Sequence, residues 1–197
     1  MIKLSQIACL SFLTVLTLSV SAQELPYAQI PNAPQIYTSG TIMGRLADGL
    51  GFRFYWASQG LTEENLAFKA GEETRTIGET IDHIYDLVYI YSNAMKEQPT
   101  VYPINKAELS FEEKRTAILK NIEMASAILK FSEDKDFERY QMIFQYPQGN
   151  GQKLPFWNAL NGPLEDALWH IGQVVSLRRM AGNPFDGKVD LMNGVRN

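Results

Sequence analysis

Apolar residues recur at helical spacing in four separate stretches of this chain. Residues 40–58 carry Ile42, Leu46, Leu50 and Phe54 every four positions, with Arg45, Asp48 and Arg53 between them, and Gly60 ends the run. Residues from Thr74 to about Glu97 repeat Ile77, Ile81, Ile84, Val88, Tyr91 and Met95 on one face. Leu87 and Ile90 widen that face, which predicts a helix buried on more than one side. A third run opens at Ser110, with Glu113 placed for a capping box, and continues to about Phe131 with Ile118, Ile122, Ala125 and Leu129 inward. The fourth is predicted to start at Gly162-Pro163, with proline at the first helical position. Gly182 and Pro184 stop it, and Arg178 and Arg179 complement its last turn.

The stretches between these runs behave differently. QELPYAQIPNAPQIYTS, residues 23–39, holds three prolines and no periodicity, which predicts an extended arm. Pro99 and Pro103 break the chain after the second run. KDFERYQMIFQYPQGNGQKLPF, residues 135–156, mixes aromatic and branched residues with a Gly/Pro/Asn cluster. It predicts a long loop that could carry a short β-hairpin. The tail, residues 185–197, reads as surface loop. The fold class is therefore all-α: an up-down four-helix bundle over residues 40–184.

Composition changes this picture at the N-terminus. MIKLSQIACLSFLTVLTLSVSA, residues 1–22, has an early lysine, an apolar stretch short for a bilayer span, and small residues at its end. That is the pattern of a secretory signal peptide, and it predicts export to the periplasm or medium. An uncleaved anchor is the alternative. Cys9 is the only cysteine and lies in this segment, so residues 23–197 offer neither a disulfide nor a thiol nucleophile. The net charge of −4 has no basic cluster within it, which argues against a nucleic-acid surface and against anionic lipid.

Chemistry concentrates around the two histidines. Asp166 and His170 are four apart on the fourth helix, so their side chains share a face. His83 falls on the second helix beside Leu87 and Ile90. Facing helices of a bundle can bring three such ligands to one ion and leave coordination positions open. Bland readings stand beside this one. Asp166 in a first helical turn is favoured by the macrodipole, and His170 could be a core histidine satisfied locally. Elsewhere, FRFYWA at 52–57 reads as packing surface with Arg53 in an ion pair, and Trp157 and Trp169 are expected to pack.

TIGETIDHIYDL and EDALWHIGQVVSLRRMAGNP carry a resemblance. The chain resembles the DinB-like (YfiT-like) family of bacterial four-helix proteins, over about residues 40–184. The family pattern has a histidine on the second helix and a histidine pair, four apart, early in the last. The resemblance implies metal ligation by His83 and His170, with Asp166 standing where the family has its middle histidine. Two histidines and a carboxylate suit a divalent zinc, nickel, iron or manganese ion.

The same resemblance implies thiol transfer to small electrophiles, or isomerisation. An exported chain has less access to cellular thiols, which favours hydrolysis or a reaction not yet known. The expectation is a hydrolase or transferase acting on a small molecule. Glu79, one turn before His83, is a candidate base. A non-catalytic ligand-binding or stress-associated bundle with a structural or vestigial site is the competing class, and a homodimer is left open.

Overall fold

A computed structural model describes residues 24–149 and 151–197; the expected signal peptide lies outside the described residues. Four long helices form the frame. α1 spans Ser39–Ser58, a short α2 spans Glu63–Ala67, α3 spans Ile77–Met95 and α4 spans Phe111–Lys130. Each opens on a capping box, from Thr38, Thr62, Thr76 and Ser110 respectively. Only the last of these was read from the sequence. After α4 the chain makes β2, Met142–Gln145, and β3, Gln152–Leu154, which pair antiparallel as the expected hairpin. An unforeseen β1, Pro99–Val101, joins β2 in parallel. Its Pro99 sits at the strand's first residue, where a missing N–H is tolerated.

α1 packs on α4, α4 on α3, α3 on the last helix, and that helix back on α1. The expected four-helix bundle is thus present, but its helices run up, down, down, up rather than in the expected alternating up-down order. Arg115 at the start of α4 bonds Ser58 and Gln59 at the end of α1, so α1 and α4 are antiparallel. Lys114, also at the start of α4, pairs with Asp82 near the start of α3, so those two are parallel. The segment between α3 and α4 is long enough to travel back along the bundle and carries β1 on the way.

The inward face of α3 is as expected: Ile77, Ile81, Ile84, Val88, Tyr91 and Met95 are all buried. α1 departs from expectation. Ile42 and Leu46 are 49 % and 53 % exposed, while Gly40, Gly44, Ala47, Asp48 and Gly51 turn inward. The cause is the closeness of α1 to α4. A Cβ on Gly40 would lie 2.4 Å from the carbonyl oxygens of Leu129 and Ser132. Bulky residues cannot occupy that seam, so they fall elsewhere on the helix.

The last helix also differs from its predicted start. α5, Phe156–Ala159, runs through a π-helical turn, Leu160–Leu164, into α6, Glu165–Met180. Pro163 is therefore inside the helical run rather than at its beginning. Proline has no N–H for the usual helical bond, and a wider turn accommodates it. The end is as expected, with Gly182 at φ +76°. Arg178, however, reaches across to α1. Its Nη1 donates to the carbonyls of Trp56 and Ala57, and its Nη2 to that of Gln59, closing the C-terminal end of α1.

The tail is not simple loop. β4, Val189–Asp190, and β5, Val195–Arg196, form a small antiparallel pair. Trp157 and Trp169, expected to pack, are largely exposed. Arg53 donates to the carbonyl of Gly49 and has no ion pair among the described residues. No helix among those residues is long and apolar enough to cross a membrane.

Candidate metal centre

The buried stripe of α3 places His83 one turn before Leu87, on the side that meets α6. On α6, Asp166 and His170 are stacked by their four-residue spacing. The π turn just before them has a further effect. One extra residue in a turn shifts the phase of all that follows by roughly 100°. It thereby helps set which way Asp166 and His170 face. It also removes the bland account of Asp166, because the helical run starts well upstream at Phe156 and the carboxylate does not sit at a free helix end.

The three residues singled out from the sequence converge. His83 Nε2 lies 3.3 Å from Asp166 Oδ2, and His170 Nε2 lies 3.3 Å from Asp166 Oδ1. The two imidazoles meet edge to face with centroids 4.6 Å apart. One donor atom from each residue lies within 4.8 Å of the other two. Ligands about 2.0–2.2 Å from a common zinc stand roughly 3–4 Å apart, so small side-chain rotations bring all three onto one ion. Exposure grades outward, from 12 % for the His170 side chain to 30 % for His83 and 41 % for Asp166. The centre is open on the carboxylate side.

Protonation fits ligation. Burial pushes the His83 imidazole below the ordinary histidine value; His170 and Arg75 push the same way, against the opposing Asp166 carboxylate. His83 is thus neutral at neutral pH, with a lone pair to give. His170 Nδ1 sits 2.7 Å from Gln173 Oε1. An amide oxygen only accepts, so Nδ1 carries a hydrogen and Nε2 is the ring nitrogen turned toward Asp166. Gln173 is the orienting partner, and its place three residues after His170 on the same face was the signal for it.

One other reading changes, and one feature is new. The Glu79 carboxylate accepts the Thr76 backbone N–H at 2.7 Å and closes the α3 capping box. Its backbone and hydroxyl bonds to Thr76 hold its pKa below the usual carboxylate value, so it serves the cap rather than proton transfer. Beside His170 lies a cleft of about 570 Å³, lined in part by Arg75, Thr80, Trp169, Gln173 and Ser176. Arg75 lies in the loop before α3, where no periodicity could have marked it.

Fold and site together define a helical-bundle protein with a His/Asp/His group able to hold a metal ion. The model of the DinB family matches residues 54–188, and the chain belongs to that family. Comparison with curated proteins and with solved structures finds no match.

Proposed function

We propose that this DinB-family chain is an exported, metal-dependent enzyme acting on a small molecule, by hydrolysis or group transfer. His83, Asp166 and His170 are its ligands for one zinc, nickel, iron or manganese ion. The observation that carries this reading is the meeting of three metal-ligating side chains at one point. One donor atom each from His83, Asp166 and His170 lies within 4.8 Å of the other two. Gln173 holds His170 Nδ1 so that its Nε2 faces a carboxylate oxygen 3.3 Å away.

Bound there, a divalent ion supplies Lewis acidity to a water molecule or to a substrate atom. The chain supplies the rest. Gln173 fixes the His170 ring, the half-exposed Asp166 leaves an approach from solvent, and the adjacent cleft gives a small substrate a place to lie. Export rests on the signal-like pattern of residues 1–22.

The test is turnover. Chelator-stripped protein, reloaded separately with each of the four metals, is assayed against small carboxylic and phosphoric esters, amides and electrophile–thiol pairs. Metal-dependent turnover that His83→Ala abolishes is the expected result. A stoichiometric ion with no turnover on any class would contradict it and favour ligand binding without catalysis. That second reading draws on an apolar groove of about 630 Å³ elsewhere on the molecule, lined by Ile42, Met43, Phe137, Phe156, Trp157 and Leu160.

A further inference from the structure

The cleft beside His170 has a charged wall that the metal ligands leave unused. Arg75 comes from the loop before α3, and Trp169 from α6 lines the same space with most of its ring exposed. Two other surface arginines are engaged: Arg139 pairs with Glu97 and Asp136, and Arg196 with Asp186, whereas Arg179, on the outer side of α6, is unpaired among the described residues. The Arg75 guanidinium has no hydrogen bond or ion pair among the described residues, although Glu73 lines the same cleft. Arg75 and the metal-centre residue His170 line this one cleft together.

The charges of the loaded site point to its substrate. A divalent ion held by two neutral imidazoles and one carboxylate keeps a net positive charge, and Arg75 adds another on the same cleft. Glu73 offsets only part of this. An arginine fork matches the two oxygens of a carboxylate, and such a charge-assisted pair orients as well as attracts. The exposed Trp169 ring gives the same cleft a flat apolar wall.

We infer that Arg75 is the anchor for an oxyanion group, and that the substrate of the proposed enzyme is a small carboxylate-bearing molecule whose reacting end lies at the metal centre. This rests on the metal reading given above. Arg75 is a binding residue in it, with no part in the bond-making.

The experiment uses the full metal-loaded protein and calorimetric titration. The probes are the monohydroxamates of malonate, succinate and glutarate, each against the uncharged alkanoyl hydroxamate of the same length. The hydroxamate end reports the ion and the carboxylate end reports Arg75. Wild type is expected to prefer one of the carboxylate probes by on the order of tenfold over its neutral partner. Arg75→Met removes that preference while metal content and affinity for the neutral probe stay unchanged, and Arg75→Lys restores part of it. Equal binding of charged and neutral probes by wild type, or a preference that survives in Arg75→Met, would overturn the inference. Succinate alone is titrated into the same variants. If no metal is taken up but succinate binding depends on Arg75, the metal reading fails and the anchor stands; if neither is seen, both fail.

Discussion

Two aspartates, each in a seam between helices, have opposite surroundings. Asp48 lies between α1 and α4 and is 1 % exposed. Its Oδ1 accepts from Ser126 Oγ at 2.6 Å and from Tyr27 OH at 3.2 Å, and Lys130 Nζ stands 2.7 Å from Oδ2. Two hydroxyls donate to one of its oxygens, and an ammonium balances the charge at the other. Asp166, between α3 and α6, is flanked by two ring nitrogens and half open to solvent. A buried carboxylate given its own donors ties helices together. One whose neighbours are imidazole nitrogens forms a group able to hold a metal ion.

The largest expected effect tests the first half of that contrast. Asp48→Ala leaves Lys130 without its partner and the Tyr27 hydroxyl without its acceptor, while Ser126 keeps the Gly44 carbonyl. It should cost about 3 kcal/mol in denaturant unfolding. Asp166→Ala in metal-free protein should change stability by less than about 0.5 kcal/mol, as half-exposed surface positions do. Equal losses would erase the distinction.

Gly40→Ala probes the same seam by shape. Its new methyl would meet two backbone oxygens at 2.4 Å, and backbone cannot rotate away. An expected loss of about 2 kcal/mol is read in the same unfolding assay. At the other seam, Gln173→Leu removes the acceptor that fixes the His170 ring. Metal affinity should fall by roughly tenfold to a hundredfold with folding intact, measured by competition with a coloured chelator.

The smallest effect lies far from both seams. Ser110 and Glu113 form the α4 capping box, and the hydroxyl and backbone of Ser110 hold the Glu113 carboxyl below its usual value of 4.5. A depressed carboxylate stabilises the fold above its unfolded pKa and loses that contribution as pH falls through the folded one. Ser110→Ala should therefore lower the unfolding midpoint slightly near neutrality, and by less in acid.

The legibility of the sequence followed the same division. α3 was readable because bulky residues fill its buried face, and α4 because a cap and an apolar stripe agree. α1 was read as a helix, with Leu50 and Phe54 buried as expected. Its first half was misread because the inward face there is built from glycine, alanine and one aspartate, which carry almost no hydrophobic signal. The last helix was started too late because Pro163 is an ordinary opening residue, and only tertiary packing reveals the π turn that absorbs it. At the site, His83, Asp166 and His170 were found from spacing and from family resemblance together. The resemblance is now a family membership over residues 54–188. Arg75 had no comparable signal, since its position depends on how a loop meets α6.

The central claim is that the group formed by His83, Asp166 and His170 holds a metal ion. The direct measurement is elemental analysis of the full chain, purified without a histidine tag, alongside Asp166→Ala and His170→Ala. About one equivalent of a divalent metal per folded wild-type chain, lost in both variants, is the expected result. Folded wild-type protein that carries no metal and takes none up on titration would contradict it.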